Sequence, residues 1–302
     1  MFDVVKIGNI RWYHSSETSE ENLKFLLDEF HFHPLDIEDC RSINQRSKID
    51  EYDDYYFLIL HFPYLDKSQS FVRTQEVKVF WGEDYLITIG KTHWTVDDTF
   101  KKVKSQEQDK EAFQIGTSDA LLYELLDRLM KESLTLIKRM GAVVELISRQ
   151  MFEKRPERTI ELMSITRKNI ILLNTIFKPQ LRLFTRLESG DIEGYAENME
   201  EYWGNILDYY QKVWDLTEDY DELIAGLSRT FDSLLGNRTN EIMKMLTLIS
   251  SILLPLTFIT GLYGMNVNLP FQNNPNAFLF LIILMIGILA FMIFVFKKRR
   301  WM

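Results

Sequence analysis

The residues with the clearest chemical potential lie late in the chain. Asn240, Met243, Thr247, Ser250, Leu254, Thr257 and Gly261 fall three or four apart, so on a helix they share one face. Four of the seven are polar and Gly261 adds a notch, while the other faces carry Leu, Ile and Phe. Polar groups facing lipid are costly, so this face must meet protein or water. One chain cannot surround a water-filled path, but several copies turned inward would bury the stripe and line a pore. Ser and Thr also pack membrane helices together, and the stripe alone leaves that use open. Elsewhere, His31, His33 and Cys40 have metal-binding side chains but straddle a helix end and a Pro-containing turn, which predicts structural roles. Asp50-Glu51 with Asp53-Asp54 reads as a solvated acidic turn. No Ser/His/Asp or Cys/His arrangement can be assigned, so no enzyme is expected.

The stripe needs a membrane, and composition supplies one. All 44 acidic residues lie at 1–241, beside 30 of the 35 basic ones, for a net −14. The last 61 residues hold no acid and five bases: Lys244, Lys297, Lys298, Arg299 and Arg300. Residues 277–296 are twenty positions without a charge, the length needed to cross a hydrocarbon core of roughly 30 Å. A second span is expected at 242–264. The opening MFDVVKIGNIRWYH has no basic region leading into an apolar run, so no signal peptide is expected. Basic residues after the last span and around the entry of the first, with none in 265–276, place both termini in the cytoplasm. On that side the Asn237-Arg238-Thr239 glycosylation match is inert. An acidic chain with its bases at a membrane end is a poor nucleic-acid binder. A single cysteine excludes a disulfide framework.

Periodicity divides the rest. Residues 4–13, 55–61, 76–81 and 85–89 read as strands, with a turn at Gly82-Glu83-Asp84 and a helix opened by Ser19 and running to Phe30. The resulting expectation is an α+β cytoplasmic domain at 1–117, a helical segment at 118–192 and a long stalk helix at 193–241. That helix continues into the membrane span at 242–264, then come an outer loop at 265–276, a second span at 277–296 and a basic end at 297–302. From 193 to 263 a single helix would run roughly 100 Å; two helices broken near Gly226 or Gly236 are the alternative. The N-terminal part of 118–192 reads as one helix to about Phe152, and Pro156 ends it or starts the next, which runs toward Phe177 and Pro179.

Beyond the stripe stands Tyr263-Gly264-Met265-Asn266, and here the sequence resembles the CorA family of divalent-cation transporters. The tripeptide follows Pro255-Leu256-Thr257-Phe258 and Gly261, one short loop before the final span. Further resemblance lies in His33-Pro34-Leu35 with Glu38-Asp39, in Gln45-Arg46-Ser47-Lys48 and in Tyr52-Asp53-Asp54-Tyr55. Thr239-Asn240-Glu241-Ile242-Met243-Lys244 is similar to the family's stalk-to-membrane junction, and Lys297-Lys298-Arg299-Arg300-Trp301 to its basic collar.

The resemblance implies a funnel-shaped homopentamer in a plasma (inner) membrane, with two transmembrane helices per chain and the first lining a central pore. Gly264, Met265 and Asn266 would form the outer selectivity site. Thr257, Leu254, Ser250, Leu246, Met243 and Asn240 would face the pore below it. Periodicity selects Thr247 where the family implies Leu246. Leu246 and Met243 would make an apolar constriction. The implied cargo is Mg²⁺, drawn in by the membrane potential at about 2.3 kcal/mol per charge per 100 mV. No ATP site is needed, and no Walker pattern or Gly-rich phosphate loop is present. Zn²⁺ (with or without proton coupling), Co²⁺ and Ni²⁺ are alternative ions, the first through a zinc-transporting branch similar to ZntB. A non-conducting membrane metal sensor is a further alternative. Family members close when internal Mg²⁺ bridges paired carboxylates of neighbouring subunits. Here Asp66 fits one partner, but Asn205 stands where the stalk carboxylate belongs, with Asp208 nearby. Two further departures are Arg229, at a stalk position where the family can have Asp, and an outer loop (Val267-Asn268-Leu269-Pro270-Phe271-Gln272) without an acid.

Overall fold

The computed structural model describes residues 1–43, 45–66, 70–106, 116–151, 156–266, 275–299 and 301. Two compact units divide the chain, Met1–Ser228 and Arg229–Met302.

The first unit begins with strands β1 (Asp3–Ile7) and β2 (Ile10–Ser15). The sequence reads 4–13 as one strand, but Gly8 adopts φ +59 and folds it into a two-residue hairpin, with Ile7 opposite Ile10. Helix α1 (Glu20–Phe30) starts where expected: Ser19 Oγ accepts the Asn22 N–H at 3.2 Å. Helix α2 (Pro34–Arg41) and strands β3 (Lys48–Glu51), β4 (Tyr55–Asp66), β5 (Phe71–Gly82) and β6 (Tyr85–Ile89) follow, then α3 (Trp94–Gln106). The six strands form one sheet in the order β1-β2-β6-β5-β4-β3, antiparallel except for the β2–β6 pair. Strand β4 runs past His61 and through Pro63, which the sequence reading does not extend to. Strand β3 pairs only as far as Ile59, so Pro63 sits where β4 faces β5 alone and needs no N–H on its other side.

Alternation along the strands builds two cores. Phe57, Ile59, Phe80, Ile87 and Ile89 pack against Leu23, Leu26, Phe32 and Ile37 of α1, α2 and the turn between them. On the opposite face Leu58, Leu60, Phe62, Val79, Trp81 and Leu86 meet helices α3, α4 (Ser118–Gln150), α5 (Pro156–Glu188) and the start of α6 (Glu200–Tyr263). Two carboxamides tie α5 to the sheet by extending strand ladders. Gln180 accepts the His61 N–H and donates to the His61 carbonyl, both at 2.9 Å. Asn169 likewise accepts from Val72 N–H at 2.9 Å and donates to Ser70 O at 3.0 Å. Pro179 does not end α5, which continues to Glu188.

Helix α6 starts at Glu200, not at 193. Gly194 (φ +72) and Asn198 (φ +65) hold left-handed conformations that a helix cannot include. From Glu200 it runs unbroken for 64 residues, and neither Gly226 nor Gly236 interrupts it. The second unit holds the rest of α6 and α7 (Ala277–Lys298). Both helices are long and apolar enough to cross a membrane, and no residue of their most apolar windows is fully buried.

Acid should loosen the first unit through His93. This ring is buried, with Nδ1 beside Thr95 Oγ1 at 3.0 Å and Nε2 beside the Pro63 carbonyl at 3.3 Å. Burial pushes it down to about 4, against about 6.5 when unfolded. The unfolded chain therefore binds the proton first, and stability is lost as pH falls from about 6.5 toward 4. Thermal unfolding across that range should show the decline, and His93→Gln should flatten it. An unchanged slope in the variant would remove His93 as the cause.

Candidate functional site

The stretch of α6 from Asn240 to Tyr263 is helical throughout, so the spacing read from the sequence becomes a real face. Asn240, Met243, Leu246, Thr247, Ser250, Leu254, Thr257 and Gly261 are all exposed. Leu248, Ser251, Ile252, Pro255, Leu256, Ile259 and Tyr263 are half-buried, and their row centres on the side of the helix opposite Leu246, Ser250 and Leu254. Helix α7 carries a matching half-covered row at Leu281, Met285, Ile288, Met292 and Val295. Each helix thus covers one face and leaves the others bare. Thr247 and Thr257 turn their hydroxyl protons onto the carbonyls of Met243 and Leu253, both at 2.8 Å. Their oxygens still have lone pairs to offer, and the helix keeps its polar groups satisfied without water. Thr247 and Leu246 are both exposed, so exposure does not choose between the two positions.

The helix closes on the tripeptide. Gly264 N–H donates to Thr260 O at 2.9 Å and Met265 N–H to Leu262 O at 3.3 Å. A Cβ on Gly264 would lie 3.2 Å from the Thr260 carbonyl, so glycine permits this tight end. Asn266 follows, exposed, as the first residue past the last helix bond. The loop residues 267–272, read as lacking an acid, fall outside the described residues.

The proposed stalk site is placed piecemeal. Asp66 accepts from Arg73 Nε at 3.0 Å. Asn205 is exposed on α6 and donates from Nδ2 to the Tyr123 hydroxyl of α4 at 2.8 Å, while Asp208 is exposed one turn further on. Among the described residues no three His, Cys, Asp or Glu side chains come together as a metal cluster.

The other sequence candidates take structural roles. His31 ends α1 in the left-handed conformation, and His33 caps α2, its Nδ1 accepting from Leu35 N–H at 3.2 Å. Cys40 is buried, which pushes its thiol up to about 12 and leaves it unreactive. Asp50 pairs with Lys48, and Glu51 with Arg186 of α5.

Two polar clusters escaped the sequence reading because their members are far apart in the chain. His14 lies between Thr88 Oγ1 and Asp97 Oδ1, both at 2.8 Å, and Trp12 Nε1 donates to the same Thr88 hydroxyl. Lys78 is buried on Glu76 and on the carbonyls of Asp39, Cys40 and Ser42, closing the end of α2. Burial pushes the Glu76 carboxyl up, but His61, Lys78 and the Gln45 amide outweigh it and hold it at about 2. These groups floor a cleft of about 910 Å³ whose buried charges are already consumed by one another. It is a structural cluster.

Comparison with known proteins shows the family and the fold. A family model described as CorA-like Mg2+ transporter protein matches residues 8–298. The putative metal ion transporter YfjQ of Bacillus subtilis is 29% identical over 307 residues, 98% of this chain and 92% of that protein. The cobalt/magnesium transport protein CorA of Thermotoga maritima is 24% identical over 275 residues, 90% of this chain and 78% of that one. Among solved structures, the complete CorA magnesium transporter from Methanocaldococcus jannaschii superposes with a TM-score of 0.84 at 19% identity, covering 97% of this chain and 92% of that one. That likeness carries the fold: an α+β unit, a long helix and two apolar helices. With the match running through the sheet, α6 and α7 alike, the chain belongs to the CorA-like Mg2+ transporter protein family, membrane transporters of divalent cations and not enzymes.

Proposed function

We propose that five copies of this chain form a membrane pore that conducts Mg²⁺ inward, with both termini in the cytoplasm of a cell bounded by the plasma (inner) membrane. The observation that carries the reading is the bare face of α6. Asn240, Met243, Leu246, Ser250, Leu254, Thr257 and Gly261 stay exposed in the single chain, opposite the half-covered row, and lead to Gly264, Met265 and Asn266. Neutral oxygens suit this cargo. Mg²⁺ sheds its waters reluctantly, so amide and hydroxyl oxygens accept hydrogen bonds from the hydrated ion. Uncharged ligands also let the ion leave again. Residues 1–117 and 118–192 serve as the cytoplasmic body, α6 from Glu200 to about 241 as stalk, 242–264 and 277–296 as spans, 265–276 as outer loop and 297–302 as basic end.

The test joins mass to flux. In mild detergent the native mass should be that of five chains, and proteoliposomes should take up Mg²⁺ ahead of Zn²⁺, Co²⁺ and Ni²⁺. Monomers or dimers without uptake would sink the pore. Uptake led by Zn²⁺ would instead favour the zinc reading, which the uncharged sequence of the outer loop supports.

Regulation follows from charge. A net −14 over residues 1–241 of each chain repels itself in an assembly, and internal Mg²⁺ between subunits would relieve that and favour closure. Asp66 and Asp208 supply the carboxylates of that site, and Asn205 a neutral ligand. Since affinity follows ligand charge, closure should need more Mg²⁺ than a full carboxylate pair would require. Asn205→Asp should lower the half-inhibiting Mg²⁺ concentration several-fold; the Tyr123 hydroxyl can donate to the new carboxylate, so the local fold should hold. Unchanged sensitivity would take Asn205 out of any metal site.

A further inference from the structure

Three cations cluster at the end of α7. Lys297 and Lys298 form its last turn and Arg299 follows, all exposed, and among the described residues none of the three makes an ion pair. No acidic residue occurs anywhere after Glu241. The backbone then folds back. Arg299 N–H donates to Val295 O at 3.0 Å and Trp301 N–H to Phe296 O at 2.9 Å, and the Trp301 ring lies parallel to Phe296 (3° between planes, centroids 6.3 Å apart). Orienting a span needs basic residues nearby but no such return of an aromatic ring. The stacked pair marks the boundary between the apolar helix and its cations, which is where a Trp sits best in a bilayer.

Resting on the membrane reading of α7, we infer that this end of the helix recognises the phosphate of anionic phospholipid headgroups. Lys297, Lys298 and Arg299 supply the charge, and the Trp301–Phe296 pair sets the depth. Phosphate is the anion found at that depth, and Arg meets it through two parallel N–H groups while Lys meets it as a point charge. An acidic protein surface would not need the aromatic pair at the hydrocarbon edge. The helix's exposed terminal carbonyls carry only about half a negative charge, too little to balance three cations.

The test uses the purified full chain in mixed micelles of phosphatidylglycerol and phosphatidylcholine, with lipid retention read by native mass spectrometry. The parent should retain phosphatidylglycerol preferentially, by roughly fivefold for each cation engaged. Replacing all three cations (Lys297→Gln, Lys298→Gln and Arg299→Gln) should bring the ratio near one, and Lys297→Arg with Lys298→Arg should keep it. Trp301→Ala, which spares the cations, should lower it several-fold. A triple variant that keeps the parent's preference overturns the inference, as does a parent without preference. Displacement of phosphatidylglycerol by inorganic phosphate would show a free-anion site and overturn it too. Oligomer mass and ion flux are read on the same samples: an assembled, conducting parent without lipid preference removes only this inference, whereas a parent that neither assembles nor conducts removes the pore.

Discussion

Asn266→Ala should reduce Mg²⁺ uptake into proteoliposomes to background while leaving the native mass unchanged. The side chain stands just past the last backbone bond of α6, where Met265 N–H meets Leu262 O, and it is exposed. In the proposed pore its amide oxygen is the acceptor best placed to meet an ion's water shell at the outer mouth. A methyl group offers nothing to those waters, and a hydrated divalent ion has no cheap way past an apolar ring. The effect should be confined to conduction because Asn266 is exposed and lies past the last backbone bond of the helix. A fall of at least a hundredfold is the expected size. Normal uptake by the variant would remove Asn266 from the ion path while leaving family membership untouched.

Gly194→Ala should be the most damaging small substitution in the first unit, lowering stability by about 3 kcal/mol. Gly194 has φ +72, and a Cβ there would lie 2.4 Å from Asp119 Oδ1 and 3.0 Å from the Trp81 ring. Neither neighbour can retreat. Asp119 is fully buried and its Oδ1 accepts the Tyr195 N–H at 3.0 Å; Trp81 is fully buried and donates to Ser118 Oγ. This contact fixes the turn that feeds α6, so the loss should also blur the start of that helix. Gly190→Ala is the control: its φ is +77, but nothing lies within 4 Å of a Cβ. That variant should lose only the backbone part, about 1 kcal/mol. Thermal midpoints of the two full-length variants decide the matter, and equal losses would show that crowding against Asp119 is unimportant.

The elements that the sequence announces are those governed by local rules. Ser19 caps α1, Gly82-Glu83-Asp84 turns β5 into β6, and the helical segment expected from 118 starts there as α4. Where neighbours decide, the reading slips. Pro63 hides the second half of β4, because a strand tolerates proline only if one side is unpaired, and that depends on where β3 stops. Helix α6 starts seven residues later than the apolar spacing predicts, because that spacing continues across Gly194 and Asn198 while their left-handed backbone cannot be helical. Pro179 looks like a helix end, yet α5 continues with Gln180 gripping His61 of the sheet.

The site divides along the same line. The order Asn240 to Gly261, the Gly264-Met265-Asn266 end and both spans follow from the sequence alone, because membrane length, helical period and the uneven placement of charge are one-dimensional properties. Family membership rests on that same string and is matched across residues 8–298. Only the tertiary structure could show which row of α6 is half-buried, since burial depends on what packs against a helix; it leaves the stripe exposed together with Ile242, Met245, Ile249, Leu253 and Phe258. It alone could place Asn205 on Tyr123, gather His14, Thr88 and Asp97 from three elements, and fold Trp301 back on Phe296. Such contacts join residues whose separation along the chain carries no periodic signal, so no spacing rule reaches them.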